Sequence, residues 1–281
     1  MCVWNRMAGG RERFAAVVVT DLQASKTVIA LSTDNKDATF DWVRWKGDMR
    51  LVVGVTYLHI DRWGGKPDGE IRSWKYSKFL MSVDRDGKNQ TTLFRDDKHT
   101  WNHTAHDFII SLMDSLDKDP DYVLALAPGL DGLTSVWRAN IHTGAAQIVE
   151  PGAYNIVGWN TDIDGAVVAR IKSSGSTLIF EGRAPGETKW TEIIRIKAKD
   201  FEKELSDFDI MGPADQPGTV YVAAKPKTES DGSARSIHIY DIRNHSLGPP
   251  LWKGLNYDIT NIVRYSGSNE MAGVCYWVDI Y

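Results

Sequence analysis

Residues 58–77 contain the side chains best suited to bind a partner or a substrate. The segment combines basic, acidic and aromatic residues, namely His59, Asp61, Arg62, Trp63, Arg72 and Trp74. Trp and Arg are enriched in protein interfaces, because each offers a large contact surface together with a polar group. The structural alternative is a hairpin whose tryptophans only bury apolar surface against a neighbouring sheet. The candidate contact residues of this segment are Arg62, Trp63, Arg72 and Trp74.

Residues 99–107 form a second polar segment, which includes His103 and His106. Histidine and aspartate side chains could bind a metal ion, but these residues lack the regular spacing of known ligand sets. Solvent-exposed or capping roles are therefore the better interpretation. We predict no metal site and no other cofactor, and we keep His103 and His106 as candidate partner contacts.

Two acidic segments could bind cations. The run from Asp200 to Asp209 contains Glu202 and Glu204, which could recognise a substrate amine, although a solvated surface is the commoner role for such a run. Asp162 and Asp164 precede Gly165 as in a calcium-binding loop. No Glu follows at the required distance, so this pattern predicts a hairpin turn.

Catalytic motifs are absent from the sequence. It contains no G-x-S-x-G nucleophile elbow, no H-E-x-x-H zinc motif, no G-x-x-x-x-G-K-[ST] phosphate loop and no convincing dinucleotide fingerprint. The Gly-Ser pairs at Gly175 and Gly267 lie in predicted turns, without the strand-turn-helix context that a nucleophile needs. We therefore predict that this chain carries no catalytic residue.

β-Strands must position these candidates, and residues 107–150 show the pattern most clearly. Residues 107–113 are a short apolar run, and residues 122–127 are almost wholly apolar, as in a strand covered on both faces. Residues 135–141 alternate between apolar and polar side chains, which is the period of a half-buried strand. A short fourth strand ends at Val149. Only residues 198–205 have helical apolar spacing, which predicts at most a two-turn surface helix.

The four-strand pattern recurs along the whole chain. Predicted first strands begin at intervals of about 47 to 67 residues, near Phe40, Asp107, Tyr154, Phe208 and Tyr257. Aligned second strands carry a small residue in four units, at Gly54, Ala125, Ala169 and Gly273, and third strands end at Asp21, Asp84, Asn140 and Asp241, whose side chains can start a turn. The predicted full units are 40–94, 107–150, 154–196 and 208–252, and the predicted half-units are 13–31 and 257–277.

Serial four-stranded meanders of this WD40-like kind predict an all-β fold, a β-propeller of four-stranded antiparallel blades. Radial stacking buries both faces of every sheet and leaves only short edges. We expect one propeller over residues 1–281, with four full blades and two half-blades. The half-blades either close one composite blade or belong to a larger ring. The chain ends inside a predicted blade, which favours the larger ring.

Composition narrows the function classes. The net charge is −4 and the Lys and Arg residues are scattered, which argues against a nucleic-acid partner. No apolar run is long enough for a membrane span, and the polar residues 1–13 do not resemble a signal peptide. A parent protein could be cytoplasmic or periplasmic.

The two cysteines support neither a disulfide framework nor a zinc site. The 11 Trp and 24 Gly residues suit packed sheets with sharp turns.

Long connections are predicted to share one face of the propeller. In a meander, the second-to-third and blade-to-blade connections fall on the same side, and there the insertions are 58–77, 95–106, 197–207 and 226–235. The other side receives mostly tight turns. Because binding residues concentrate on long loops held by a rigid scaffold, we expect a ligand or a partner domain on the long-connection face.

Four stretches resemble a known family: DPDYVLALAP, SVWRANIHTG, LMSVDRDGK and PGTVYVAAK. They are similar to the N-terminal propeller of bacterial serine peptidases of the prolyl oligopeptidase (S9) family, of the dipeptidyl-aminopeptidase and acylaminoacyl-peptidase type. The resemblance covers nearly all 281 residues. It implies a propeller that caps an α/β-hydrolase domain, which would carry the catalytic Ser, Asp and His. Some relatives hold the substrate amine with two adjacent Glu residues, but Glu202 and Glu204 are separated by one residue, so that role is not transferred.

Two function hypotheses follow. The first is a non-catalytic propeller segment of an S9-like serine peptidase, with the hydrolase domain and peptide substrates as partners and a role in gating peptide access. The second is a stand-alone propeller that serves as a scaffold for protein–protein interaction. An in-frame hydrolase region downstream of Tyr281 would favour the first hypothesis, and a stop codon the second.

Overall fold

All described secondary structure is β-strand. The structure is a computed structural model that describes residues 2–7, 13–62, 71–94, 109–129, 131–197, 208–225, 234–253, 257, 259–265 and 270–276. For residues 2–7, 13, 59–62 and 71–75 it describes the backbone alone. Twenty-one strands and no helix occur within these ranges, in sheets that are wholly antiparallel. The predicted all-β fold is confirmed.

The chain divides into two compact units, residues 1–153 and 154–281. The first unit holds three sheets. Their strands are β1 Cys2–Met7, β2 Arg13–Asp21 and β3 Lys26–Thr33; β4 Ala38–Lys46, β5 Arg50–Arg62, β6 Ile71–Asp84 and β7 Thr91–Thr92; and β8 Ser111–Asp114, β9 Tyr122–Pro128, β10 Thr134–Asn140 and β11 Ala146–Glu150.

The second unit also holds three sheets. Their strands are β12 Ile156–Thr161, β13 Val167–Ser174, β14 Thr177–Gly182 and β15 Thr191–Lys197; β16 Phe208–Pro213, β17 Thr219–Ala224, β18 Ser236–Asp241 and β19 Ser246–Trp252; and β20 Ile259–Arg264 and β21 Met271–Tyr276. Every four-stranded sheet is an up-and-down meander in chain order.

Apolar cores lie between successive sheets of each unit. In the first unit, one core joins β1–β3 to β4–β7 through residues such as Val17 and Val53, and another joins β4–β7 to β8–β11 through Leu80 and Trp137. In the second unit, Phe180 and Phe208 belong to the core between β12–β15 and β16–β19, and their rings meet edge to face at 5.5 Å. Because neighbouring sheets cover the second strands, the sequences of these strands are almost continuously apolar.

In five of the six described sheets, the first strand carries a β-bulge against the second strand. The pairing skips one residue in all four meanders and in the two-stranded sheet, at Asp41, Met113, Val157, Met211 and Thr260. A bulge bends its strand and increases the local twist. Because each first strand is an edge strand of its sheet, the repeated bulge also disturbs a regular edge that could pair with another chain.

The structure corrects the sequence analysis at the N-terminal sheet. Two strands were expected there, and β1 adds a third by pairing with β2 from Cys2↔Val18 to Met7↔Arg13.

The structure also corrects the alignment of the second strands. Their small residues do not occupy one common position, because Gly54 pairs with the residue after a bulge and Ala125 with the residue before one. Gly273 pairs with Val263, away from the bulge at Thr260.

The predicted turn residues behave as expected at three of four third-strand ends. The Asp21 carboxylate accepts the backbone N–H of Gln23, and the Asn140 amide oxygen accepts that of His142. The Asp241 carboxylate accepts the N–H of Asn244, one residue further on. Asp84 differs, because its carboxylate pairs with Arg50 instead.

Candidate functional site

The β5–β6 hairpin extends well beyond the rest of its sheet. The first strand of the sheet pairs with β5 only as far as Ala38↔Tyr57, whereas β5 and β6 stay paired from Leu58↔Tyr76 to Arg62↔Ile71. Most of residues 58–77 is therefore a continuous two-stranded arm, which confirms the hairpin alternative for the backbone and corrects the expectation of a loop. The pairing skips Arg72 between Asp61↔Ser73 and Arg62↔Ile71, which places a bulge next to the last described pair of the arm.

Polar contacts fix the base of this arm to the first strand of the sheet. The N–H of Leu58 donates to the Asp37 carbonyl oxygen at 2.7 Å, and the Thr56 hydroxyl donates to the Asp41 carboxylate at 2.6 Å. The Lys78 ammonium lies 3.6 Å from the same carboxylate. Asp41 is the bulged residue of β4, so the bulge directs a carboxylate towards both strands of the arm.

The arm also touches the entry to the next sheet. The N–H of Ile110 donates to the Lys78 carbonyl oxygen at 2.8 Å, and Ile109 forms a parallel bridge with Lys78. The chain that follows the histidine segment therefore passes beside the base of the arm.

The structure places the predicted site residues as follows. Arg62, Arg72 and Trp74 lie in the outer part of the described arm, where Trp74 pairs with Ile60, but only their backbone is described. Trp63, His103, His106, Glu202 and Glu204 lie outside the described residues, as does the predicted helix at 198–205.

Asp209, which the sequence grouped with a solvated acidic run, is instead a residue of β16. Burial raises the pKa of Asp209, while Arg235 opposes that shift.

Buried charges join neighbouring sheets at the opposite end, where the first and second strands turn. Lys46 is 5% exposed, and its ammonium donates to the carbonyl oxygens of Ser115 and Leu116 in the turn between β8 and β9. Burial lowers the pKa of Lys46, and the nearby aspartates, Asp117 first among them, oppose that shift. Asp162 occupies the corresponding turn after β12 and binds backbone N–H groups instead. The hairpin turn predicted at 162–165 is confirmed, since the N–H of Gly165 donates to the Asp162 carbonyl oxygen.

Arg50 is the most highly connected of these charges. Its side chain is buried, and Nη2 lies 2.8 Å from the carbonyl oxygens of both Asn89 and Ile141. Nη1 forms an ion pair with Asp84. Because Ile141 follows β10, one guanidinium joins the second and third strands of its own sheet to the third strand of the next sheet.

A cation–aromatic cluster lies on the β12–β15 sheet. The guanidinium carbons of Arg170 and Arg183 lie 4.4 and 4.3 Å from the centroid of the Trp190 ring. The Glu181 carboxylate accepts hydrogen bonds from Arg170 and Lys172, which outweigh its burial and lower its pKa. This cluster joins two strands of one sheet, β13 and β14, to the connection at 183–190.

No group of three or more His, Cys, Asp or Glu residues within the described ranges could hold a metal ion. No helix of membrane-spanning length and hydrophobicity occurs in that part of the chain. The arrangement can support recognition through the arm and its surroundings, on sheets that buried charges hold together.

Sequence reasoning missed the interactions of Lys46, Arg50 and Asp162. Each binds backbone groups of a distant segment, and a backbone group has no signature in the sequence. The available signal was a charged residue directly beside a predicted tight turn, in a repeat that is otherwise apolar.

Comparison with protein-family models and with curated protein sequences gave no match. Among solved structures, Porphyromonas gingivalis dipeptidyl peptidase 4 matches 88% of this chain and 40% of that chain, at 11% identity and a TM-score of 0.50. An acylaminoacyl peptidase in complex with Z-Gly-Gly-Phe-chloromethyl ketone matches 94% of this chain and 38% of that chain, at 11% identity and a TM-score of 0.48. The β-propeller domain of the Trilobed protease from Pyrococcus furiosus matches 83% and 76%, at 10% identity and a TM-score of 0.42.

The likeness to dipeptidyl peptidase 4 bears on the fold alone, because the sequence identity is low. The chain has the β-propeller fold, and its four-stranded meanders are the blades, as the repeat analysis predicted. The chain spans about two fifths of the length of the first two solved structures.

Proposed function

We propose that this chain is the propeller segment of a serine peptidase of the S9 type. In this proposal it has no catalytic residue of its own, packs against an α/β-hydrolase domain of the same parent protein and gates the access of peptides. The similarity of four sequence stretches to S9 propellers carries the proposal, and the propeller fold supports it.

The distribution of contacts supports a role for the long-connection end. At the other end of the sheets of the first unit, Lys46 and Arg50 are buried and engaged with backbone groups. The β5–β6 arm instead projects beyond its sheet from a base held by Asp37 and Asp41. In this proposal the arm and the neighbouring long connections face the hydrolase domain and the peptide. The residues assigned to that surface are Arg62, Trp63, Arg72, Trp74, His103, His106, Glu202 and Glu204.

The coding sequence downstream of Tyr281 provides the first test. An in-frame region with a G-x-S-x-G nucleophile elbow, followed by Asp and His, is the expected result. A stop codon directly after Tyr281 would contradict the proposal and favour a scaffold for other proteins.

Shortening the arm in the parent peptidase tests the gating role. We expect replacement of residues 63–70 by an Asn-Gly turn to change the ratio of kcat/KM for a long peptide to kcat/KM for a tetrapeptide several-fold, because the shortened arm no longer restricts entry. Asp48→Ala, at an exposed position in the turn between β4 and β5, at the opposite end of the same sheet, is the control and should leave the ratio unchanged. An unchanged ratio in a folded, active arm variant would refute gating by the arm while leaving the S9 assignment intact.

A further inference from the structure

A half-buried cluster on the β12–β15 blade holds three cations around one carboxylate. Arg170 and Lys172 lie two residues apart in β13 and therefore share a face. Arg170 pairs across the sheet with Glu181 of β14, and Arg183 directly follows that strand. The Glu181 carboxylate accepts from Nε of Arg170 at 2.6 Å and from Nζ of Lys172 at 3.1 Å. The positive charges of this cluster therefore exceed the negative ones by two.

Trp190 brings two of these cations close together. The guanidinium carbons of Arg170 and Arg183 both lie over its ring, so their charges repel across less than about 9 Å. The aromatic ring attracts each guanidinium but does not neutralise it. The buried Trp159 ring supports Trp190, with the two centroids 6.0 Å apart. The sheet thus fixes a concentration of positive charge.

The hydrogen-bond donors of Arg170 and Lys172 are only partly used. Within the described part of the chain, Arg170 contacts Glu181 through Nε and the Trp190 ring, and neither of its Nη atoms has an acceptor. Lys172 makes one of the three hydrogen bonds that an ammonium can donate. The side chains of Arg170 and Lys172 are 19% and 24% exposed. A small ion can therefore reach both from solvent.

The other carboxylate of this blade does not cancel the excess charge. Glu181 and Glu192 are the acidic residues of strands β12 to β15. Glu192 is bound by Arg195, whose Nη2 and Nε lie 2.7 and 3.3 Å from its two oxygens. These two residues form a neutral pair. The strands of the blade thus supply Arg170, Lys172 and Arg183 with one carboxylate.

We propose that Arg170, Lys172 and Arg183 form a binding site for a phosphate group. Because Glu181 occupies the Nε side of Arg170, the ligand would meet the Nη atoms, which can bind two phosphate oxygens at once. Lys172 and Arg183 add charge beside that fork. A phosphate monoester is close to a dianion at neutral pH and carries three acceptor oxygens. Its charge matches the excess of the cluster, whereas a single carboxylate would neutralise half of it.

A titration of the whole chain with inorganic phosphate tests the site. Phosphate is added at constant ionic strength and neutral pH, with acetate as the monoanionic comparison. In nitrogen NMR spectra, the indole N–H of Trp190 and the Nε–H of Arg170 should shift to saturation. Phosphate should bind at least about fivefold more tightly than acetate, because two charges are neutralised instead of one. Equal affinities for the two ions, or shifts that do not saturate, would overturn the proposal.

Two neutral variants isolate the cations. Arg170→Gln and Lys172→Gln should each weaken phosphate binding at least about fivefold, since each removes a charge from the cluster. Arg195→Gln is the matched control, because it removes a half-exposed arginine of the same blade that is paired with Glu192. It should change the affinity by less than about twofold. Equal weakening in all three variants would show an effect of net charge alone and would overturn the local site.

The comparison of phosphate with acetate in the wild type keeps the proposal testable if Arg170→Gln fails to fold. O-phosphoserine separates two sources of the same chemistry. Binding tighter than that of inorganic phosphate would support a phosphorylated molecule as the ligand, and weaker binding would support the free ion. Failure of both phosphates to bind would overturn the site, whatever the outcome for the peptidase assignment.

Discussion

The Asp162 carboxylate accepts a hydrogen bond from the backbone N–H of Gly218, with Oδ2 and N 2.9 Å apart. Asp162 lies in the first turn of the β12–β15 blade, and Gly218 directly precedes the second strand of the next blade. Lys46 makes the corresponding connection in the first unit with the opposite charge, because it donates to carbonyl oxygens of the neighbouring blade. The residue at this position of the repeat thus joins successive blades. Asp162 does so by accepting from a backbone N–H group, and Lys46 by donating to backbone carbonyl oxygens.

Replacement of Asp162 by Ala should destabilise the protein by about 2–4 kcal/mol, because buried N–H groups lose a charged acceptor. Asp162 is 1% exposed and also accepts from the N–H groups of Asp164 and Ala166, at 3.0 and 2.9 Å. Urea unfolding measures the loss. Asp164→Ala, at an exposed position of the same turn, serves as the control and should cost less than about 0.5 kcal/mol. Equal losses in the two variants would contradict the special role assigned to the Asp162 carboxylate.

Replacement of Arg50 by Lys should cost about 2–4 kcal/mol, even though the charge is kept. A single ammonium cannot reach Ile141, Asn89 and Asp84 together, whereas the guanidinium contacts all three. Arg85→Lys, at an exposed position just after the same third strand, is the matched control. A loss of unfolding free energy below about 0.5 kcal/mol in the Arg50 variant would contradict the role assigned to the guanidinium.

Local turn chemistry could be predicted from the sequence, and the distant connections could not. Asp21, Asn140 and Asp241 bind N–H groups two or three residues away, so the residue type and its place after a strand were enough to predict the turn. Arg50 binds Ile141 across 91 positions and Asp162 binds Gly218 across 56. Those partners are backbone groups, which no residue type reveals.

Strand β1 and the candidate site mark two further limits of the sequence. The six residues of β1 were not recognised as a strand in the sequence, because pairing with β2 creates this strand. At the candidate site, the mixture of Arg and Trp indicated an interface but not the arm that carries it. The arm depends on continued pairing of β5 with β6, and the contact roles of Arg62, Trp63, Arg72 and Trp74 stay predictions.

Replacement of Gly54 by Ala should destabilise the protein by about 1–3 kcal/mol, because a Cβ atom there would lie less than 3.0 Å from ring atoms of Trp42. Gly273→Ala is a matched control in another second strand, where a Cβ atom would meet nothing within 4 Å. Its effect should stay within about 0.5 kcal/mol. Thermal unfolding of both variants measures the difference, and equal stability would show that the Trp42 ring moves aside without cost.

Replacement of Tyr221 by Phe should remove a pH dependence that is specific to alkaline solution. The Tyr221 hydroxyl is buried and donates to the Asp215 carboxylate at 2.7 Å. Burial and the Asp215 carboxylate raise the pKa of Tyr221 to about 12, against about 10 for an unfolded tyrosine. The neutral hydroxyl therefore stabilises the folded state fully below about pH 10, and this contribution is lost as the pH rises towards about 12.

The expected difference between wild type and Tyr221→Phe follows from that shift. Below pH 10 the variant should be less stable by about 1–2 kcal/mol, because the Asp215 carboxylate loses its hydrogen-bond donor. Between pH 10 and 12 the wild type should lose about 2 kcal/mol more than the variant, so the two curves of unfolding free energy converge. Tyr265→Phe, at an exposed position, should follow the wild-type curve. Parallel curves for wild type and Tyr221→Phe would show that Tyr221 ionises in the folded protein as easily as in the unfolded chain.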